Sequence, residues 1–254
     1  MLVTGGSRGI GLEIARRFSA AGASVTITAR REPALRAALG ELGERSHAVA
    51  GDAADPDHAA TAVAAAVERF GPLSVVVANV GGAPYAGPLV DAPTDALLKT
   101  FNRNVAAPLN FVREAWRQSM EREGGVIILI GSLGGMRVRS GNGAYNITKA
   151  ALHHMARQLA LELAPGVRVI SLVPGLIRTE FALPLYEGRE EDTARELPLG
   201  RLGEPADVAE LALALASPAA GWVTGVEVVV DGGASLLSGG RTAPTERQSR
   251  LRRL

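Results

Sequence analysis

A doubly wound parallel α/β sheet of about seven strands, flanked by helices on both faces, is the fold class this sequence predicts. Short β-type apolar runs alternate with helical patterns from end to end. Several runs are almost continuously apolar, as strands covered on both faces should be. Gly22, Gly71 and Gly124 fall where helices should stop. No internal repeat or linker interrupts the rhythm, so the 254 residues predict one domain over 1–237, although length alone does not exclude two small ones.

In chain order, a short strand at 1–4 leads to a helix at 10–21, and Gly22 separates that helix from a strand at 24–29. A helix at 33–42, a strand at 47–50 and a helix at 56–70 follow, with Gly71 closing the last of these. The apolar run 73–78 is a buried strand, and after it one long helical pattern spans 95–121. Strand 126–131, helix 144–163, strand 167–173, helix 206–216 and strand 226–230 complete the order, with right-handed connections expected. Two segments depart from the rhythm. Residues 179–204 hold Phe181, Leu183, Pro184, Leu185 and Tyr186 among charges without clean periodicity, an insertion typical of a substrate lid. In residues 238–254, Arg241, Arg247, Arg250, Arg252 and Arg253 face only Glu246. This is a basic tail expected to be disordered, with a contact arm as the alternative reading.

Hydrophobic residues make up 47% and charged residues 21%, ordinary for a soluble globular protein. A net charge of +1 gives no reason to expect nucleic acid or an anionic membrane as partner. The absence of cysteine excludes disulfides, thiolate catalysis and cysteine-ligated zinc. His47, His58, His153 and His154 do not make a ligand set, because the adjacent pair points to different helix faces, so no metal is expected. With no secretory signal and no apolar stretch of about 18 residues, cytoplasmic is the default location.

Directly after the first strand comes Thr4-Gly5-Gly6-Ser7-Arg8-Gly9-Ile10-Gly11, opening into a helix. Gly5, Gly9 and Gly11 permit a tight turn and close approach of backbone to a ligand. The helix N-terminus then offers free N–H groups and a positive dipole end to a pyrophosphate. Strand, glycine loop and helix in a βαβ unit are the context of a Rossmann-type dinucleotide site. The second strand ends Thr28-Ala29-Arg30-Arg31, with no acid at its tip to hold a ribose 2′-hydroxyl. Arg8, Arg30 and Arg31 suit a 2′-phosphate, so NADP(H) is favoured over NAD(H), with nearby Glu32 keeping NAD open.

Tyr145 and Lys149, four residues apart on a helix, share one face a single turn apart. A neighbouring ammonium stabilises a phenolate, and drawing a tyrosine pKa from about 10 toward neutrality takes about 4 kcal/mol of favourable charge. That makes Tyr145 a candidate general acid or base.

With these residues together, the chain resembles the short-chain dehydrogenase/reductase family from Leu2 to about Leu236. Thr4–Gly11 matches its Thr-Gly-x-x-x-Gly-x-Gly motif. Ala78-Asn79-Val80-Gly81 keeps the second Asn and the Gly of its Asn-Asn-Ala-Gly segment. Pro174-Gly175-Leu176-Ile177-Arg178-Thr179 matches the segment beside the nicotinamide, and Val230-Asp231-Gly232-Gly233 matches the C-terminal signature. Asp52-Ala53 resembles the pair that holds adenine. The resemblance implies that Ser132, Tyr145, Lys149 and Asn104 are catalytic; Asn102 competes with Asn104, which is preferred because Val105 follows it. It implies cofactor contacts from Gly5, Ser7, Arg8, Gly9, Ile10, Gly11, Arg30, Arg31, Asp52, Ala53, Asn79, Gly81, Tyr145, Lys149, Pro174, Gly175, Ile177 and Thr179. Only three residues precede Thr4, fewer than the family usually places there, pointing to a late start assignment or a lost N-terminal stretch.

The implied reaction is NADPH-dependent reduction of a ketone, with Tyr145 giving the proton, Ser132 holding the carbonyl oxygen and Lys149 depressing the Tyr145 pKa. By the same resemblance, Asn104 fixes a water that links Lys149 to solvent. Substrate walls are expected from Gly82, Ala83, Leu133, Asn142, Leu176, Phe181, Leu185 and Tyr186, giving a mostly apolar pocket for a small molecule. Arg178, Arg189 and Arg195 in the lid either meet an anionic substrate or are solvated. An NAD-dependent alcohol dehydrogenase, a 3-oxoacyl-thioester reductase and a non-catalytic dinucleotide-binding protein are the alternatives. The family pattern also implies a homotetramer built on the helices at 95–121 and 144–163, where His154, Met155, Leu159 and Leu163 exceed what the sheet can cover; an intramolecular core is the other reading.

Overall fold

The computed structural model describes residues 1–138 and 141–237, so the basic tail lies outside the described residues. Its strands are β1 (Leu2–Thr4), β2 (Val25–Ala29), β3 (Ser46–Ala50), β4 (Val75–Ala78), β5 (Gly125–Ile130), β6 (Val167–Pro174) and β7 (Glu227–Val230). They form one parallel sheet in the order β3-β2-β1-β4-β5-β6-β7. The order reverses between β1 and β4, and that reversal opens a crevice at the carboxyl edge of the strands.

Alternating side chains point to opposite faces of the sheet, and each face is covered. Val3, Ile27, Ile128 and Ile170 pack against α1 (Gly9–Ala20), α2 (Glu32–Leu42) and α9 (Pro205–Ala216). Leu2, Val76, Ile127 and Val169 pack against α3 (Pro56–Phe70), α5 (Ala107–Ala115) and α7 (Gly143–Glu162). Burial on both sides explains why the strands read as unbroken apolar runs. Each fully buried side chain of this size contributes about 1.5–3 kcal/mol relative to exposure.

The helix expected over 95–121 is segmented. It runs as α4 (Thr94–Phe101), a π-type stretch at Asn102–Ala106, α5, a second π-type stretch at Trp116–Met120, and α6 (Glu121–Glu123). Pro108 supplies the local reason for the first break, because it has no N–H to give the carbonyl of Asn104 four residues back. Gly124, at φ +71°, then turns the chain into β5, a conformation open to glycine at little cost.

The segment at 179–204 carries its own small core. A 3-10 turn (Leu183–Leu185) and α8 (Glu190–Glu196) surround Ala182, Tyr186, Leu197 and Leu202, all buried. Tyr186, expected on the substrate wall, is 4% exposed and points into this core, its hydroxyl donating to the Thr179 carbonyl at 3.4 Å. The expected interface residues Met155, Leu159 and Leu163 pack into the sheet core. Leu98 and Phe101 on α4 and Ile147 and Leu161 on α7 are the large apolar side chains left exposed on those helices. No described helix is long and apolar enough to cross a membrane.

Candidate active site

A single cleft of about 830 Å³ runs along the carboxyl edge of the sheet and brings together most of the residues singled out in the sequence. At one end is the glycine loop. Gly5 and Gly9 have φ of +65° and +55°, and Arg8 precedes α1 in extended conformation without a side-chain cap. The first-turn N–H groups of α1 are therefore free of a side-chain cap. Gly11 does not line the cleft; it packs behind the loop. A Cβ there would lie 2.4 Å from the Gly5 carbonyl oxygen and 2.5 Å from Asn79 Nδ2, so only glycine lets the loop close this tightly. Asn79 locks the loop to the end of β4. Its Nδ2 donates to the carbonyls of Thr4 at 3.1 Å and Gly5 at 3.3 Å, while Thr4 Oγ1 accepts from the N–H of Asn79 at 3.0 Å.

At the tip of β2, Arg30 and Arg31 line the cleft and are exposed, with Asp52 and Ala53 beside them. The Glu32 carboxylate pairs with Arg36 along α2 and does not line the cleft. Arg8 is paired across the cleft with Glu180 of the segment after β6. Arginines of the 179–204 region are engaged as well: Arg178 with Glu190 and Glu204, Arg195 with Glu191 and Asp192, and Arg189 with the Leu185 carbonyl.

At the other end, Ser132 follows β5, and Tyr145 and Lys149 come from the first turns of α7. Ser132 is extended and caps a short 3-10 turn at Leu133–Gly135, its Oγ accepting from Gly134 N–H at 3.1 Å. The Ser132 hydroxyl draws the Tyr145 pKa down, but burial outweighs it and holds Tyr145 above its ordinary value. The cost of burying a phenolate is the larger of the two effects. Lys149 Nζ is 5.7 Å from the Tyr145 ring centre and donates to the Ile130 carbonyl at 2.7 Å. Its burial lowers its pKa from 10.5 to about 8.

Asn104 is fully buried within the first π-type stretch and lies outside the cleft lining. Its Oδ1 accepts from Gly82 N–H at 2.8 Å, and its Nδ2 donates to the Gly82 carbonyl and to Thr148 Oγ1, both at 2.9 Å. Thr148 in turn donates to the Tyr145 carbonyl at 2.8 Å. Asn104 thus braces β4's exit against the turn of α7 that carries Tyr145.

Leu176, Phe181 and Leu185 line the cleft, and the Phe181 ring is tilted against that of Tyr145 with centres 6.1 Å apart. Gly82, Ala83, Leu133 and Asn142, expected on the same wall, do not line it; Gly87 and Asn142 instead form an isolated bridge that joins the 81–93 connection to the start of α7. Arg103 was missed. Its side chain would touch a Cβ on Gly82 at 2.8 Å, and it lines the cleft because the π-type stretch turns it that way. The signal available in the sequence was Pro108.

Residues 5–235 match a family model described as Enoyl-(Acyl carrier protein) reductase. An uncharacterized oxidoreductase of Mycobacterium tuberculosis is 40% identical over 239 residues, covering 91% of this chain and 90% of its own. An L-rhamnose 1-dehydrogenase (NAD(P)(+)) of Azotobacter vinelandii is 39% identical over 245 residues, covering 92% and 95%. Among solved structures, a short-chain type dehydrogenase/reductase from Mycobacterium ulcerans superposes with TM-score 0.88 at 37% identity, covering 94% of this chain and 90% of that one. An actinorhodin polyketide ketoreductase variant with NADPH gives TM-score 0.87 at 31% identity, covering 91% and 95%. A 7α-hydroxysteroid dehydrogenase complexed with NADH and a 7-oxo bile acid gives 0.86 at 30%, covering 91% and 92%. A family model and relatives that match nearly the whole chain show that it belongs to the short-chain dehydrogenase/reductase family, oxidoreductases that act on CH–OH and C=O groups with a nicotinamide dinucleotide.

Proposed function

We propose that this chain is an NADPH-dependent reductase that converts a ketone to an alcohol, with Tyr145 as the proton donor. The observation that carries the reading is the placement of Ser132, Tyr145 and Lys149 in the same cleft as the glycine loop. The residues present fit the dinucleotide: a glycine cradle that side chains would fill, and an uncapped helix N-terminus facing it. Arg30 and Arg31 would hold a 2′-phosphate, and Glu32, the acid that follows them in the chain, does not line the cleft. Once bound, the cofactor supplies the hydride for the carbonyl carbon.

The chain's own residues do the rest. Burial keeps Tyr145 protonated at neutral pH, which is the form a proton donor needs, so the resting site is set for reduction. Lys149, still mostly charged at pH 7 with a pKa of about 8, offsets the phenolate left after donation. The Ser132 hydroxyl donates to the carbonyl oxygen and stabilises its developing charge. Asn104 keeps the Tyr145 turn and the Gly81–Gly82 floor in register. Phe181, Leu176 and Leu185 exclude water from one side and favour an apolar substrate. A homotetramer through the exposed Leu98, Phe101, Ile147 and Leu161 is part of the same proposal.

Oxidation of a sugar alcohol is a second reading, favoured by the 39% identity to an L-rhamnose 1-dehydrogenase. Initial rates of NADPH and NADH oxidation over a panel of steroid, polyketide-like, sugar-derived and simple ketones separate the two. The proposal expects faster turnover with NADPH on an apolar ketone. Equal or better rates with NADH would overturn the role given to Arg30 and Arg31. Tight NADPH binding without turnover of any carbonyl, together with oxidation of a sugar, would favour the second reading.

A further inference from the structure

His153 is a buried titratable side chain near the site that the proposed chemistry does not use. It lies on α7, two turns past Tyr145, and is 4% exposed. Its Nε2 accepts the backbone N–H of Ser132 at 3.3 Å. An imidazole that accepts at Nε2 is neutral and carries its proton on Nδ1. The surrounding chain is cut to fit the ring. A Cβ on Gly131 would lie 2.4 Å from Nε2, and one on Gly135 would lie 2.7 Å from Cε1, so both neighbours must be glycine for the imidazole to stay where it is.

The reason for this arrangement follows from where β5 ends. Gly131 N–H makes the last bond to β6, donating to the Leu172 carbonyl at 2.7 Å. One residue later the chain has left the ladder, and the Ser132 N–H needs another acceptor. His153 supplies it. One turn earlier on the same helix, Lys149 Nζ donates to the Ile130 carbonyl at 2.7 Å. Two side chains of α7 therefore grip the chain on either side of Gly131, and the helix that carries Tyr145 also holds the backbone of Ser132.

We infer that His153 is a positioning residue for Ser132: by accepting the Ser132 N–H it ties the Ser132 hydroxyl to the same helix as the Tyr145 phenol, so that both meet one carbonyl oxygen. This rests on the reading of Ser132 as the group that hydrogen-bonds the substrate. The imidazole is held neutral by burial, which lowers its pKa to about 4 against the pull of Glu227 on β7, while Lys149 and Arg157 on α7 push it the same way as burial. It stays an acceptor throughout the neutral range.

The test is a double-mutant cycle, with kcat and the NADPH Kd measured for each protein. His153→Leu fills similar space but leaves the Ser132 N–H without a partner; His153→Gln keeps an acceptor. The expected result is a fall in kcat of about 10- to 100-fold for His153→Leu, with the NADPH Kd within about twofold of wild type. His153→Gln should recover most of the loss. In a Ser132→Ala background, His153→Leu should cost little more, since the group it positions is gone. Ser132→Ala retaining full activity would overturn the reading of Ser132 itself. A large loss in Ser132→Ala with none in His153→Leu would overturn the positioning role alone, as would an equal loss from His153→Leu in both backgrounds. Should His153→Leu not fold, imidazole nitrogen shifts of the wild-type protein between about pH 6 and 8 decide the point. A neutral ring protonated on Nδ1 is required, and protonation on Nε2 contradicts the inference.

Discussion

Lys149→Met should raise the stability of this protein while abolishing its activity. The lysine is buried at the wall of the cleft, and burial lowers its pKa from 10.5 to about 8. That gap corresponds to about 3 kcal/mol of stability spent on keeping the ammonium inside the fold at neutral pH. Methionine has a similar length and no charge. Its introduction also removes the 2.7 Å bond from Nζ to the Ile130 carbonyl, a loss of about 1 kcal/mol. The net gain is about 2 kcal/mol at pH 7, equivalent to a rise in Tm of about 5 °C for a chain of this size. The pH dependence carries the sign. Below pH 8 both folded and unfolded chains hold the proton, so wild type bears the full cost. Between 8 and 10.5 the unfolded chain binds more proton than the folded one, so wild-type stability rises with pH, and above 10.5 the cost is gone. Thermal unfolding of both proteins at neutral and alkaline pH should therefore show the variant ahead at pH 7 and its lead shrinking to nothing by about pH 10. Carbonyl reduction should fall by about 100-fold or more. A lower Tm at pH 7, or a difference that does not change with pH, would refute the argument that burial of the charge is what costs stability here.

Two further outcomes follow from the cleft. Gly11→Ala would place a methyl 2.4 Å from the Gly5 carbonyl oxygen, so the loop must open; the NADPH Kd should weaken at least about tenfold, at a cost of about 1–3 kcal/mol in unfolding free energy, read by fluorescence titration and denaturant melts. Replacing Arg30 and Arg31 together by alanine should cut the preference for NADPH over NADH by about 10- to 100-fold while leaving kcat with saturating cofactor nearly unchanged, as steady-state kinetics with both cofactors would record.

The sheet was legible because burial on both faces leaves Val75–Ala78 and Val167–Pro174 with no polar face to hide, and helix ends were marked by glycines such as Gly71 and Gly124. The phosphate loop was legible for a related reason, since a backbone that must approach a ligand closely excludes side chains. What the residues did not disclose depends on contacts far apart in sequence. Tyr186 carries the composition of a pocket wall, yet packs inward because Ala182, Leu197 and Leu202 converge on it from both ends of a non-periodic segment. The segmentation of the long helix had a local cause in Pro108, but the consequence, Arg103 turned into the cleft, needs the three-dimensional path. Burial holds the pKa of Tyr145 above its ordinary value, and burial is a property of the whole fold. The bond from Ser132 N–H to His153, likewise, joins residues 21 positions apart that no local pattern links.

The most direct measurement of the central claim compares wild type with Tyr145→Phe for NADPH oxidation on the best ketone of the panel, with NADPH affinity measured alongside. Phenylalanine preserves the ring against Phe181 and removes only the hydroxyl. The account predicts that kcat falls by about 1000-fold or more while NADPH binds as tightly as before. Comparable turnover by the two proteins would contradict it, and the proton donor would then have to be sought elsewhere in the cleft.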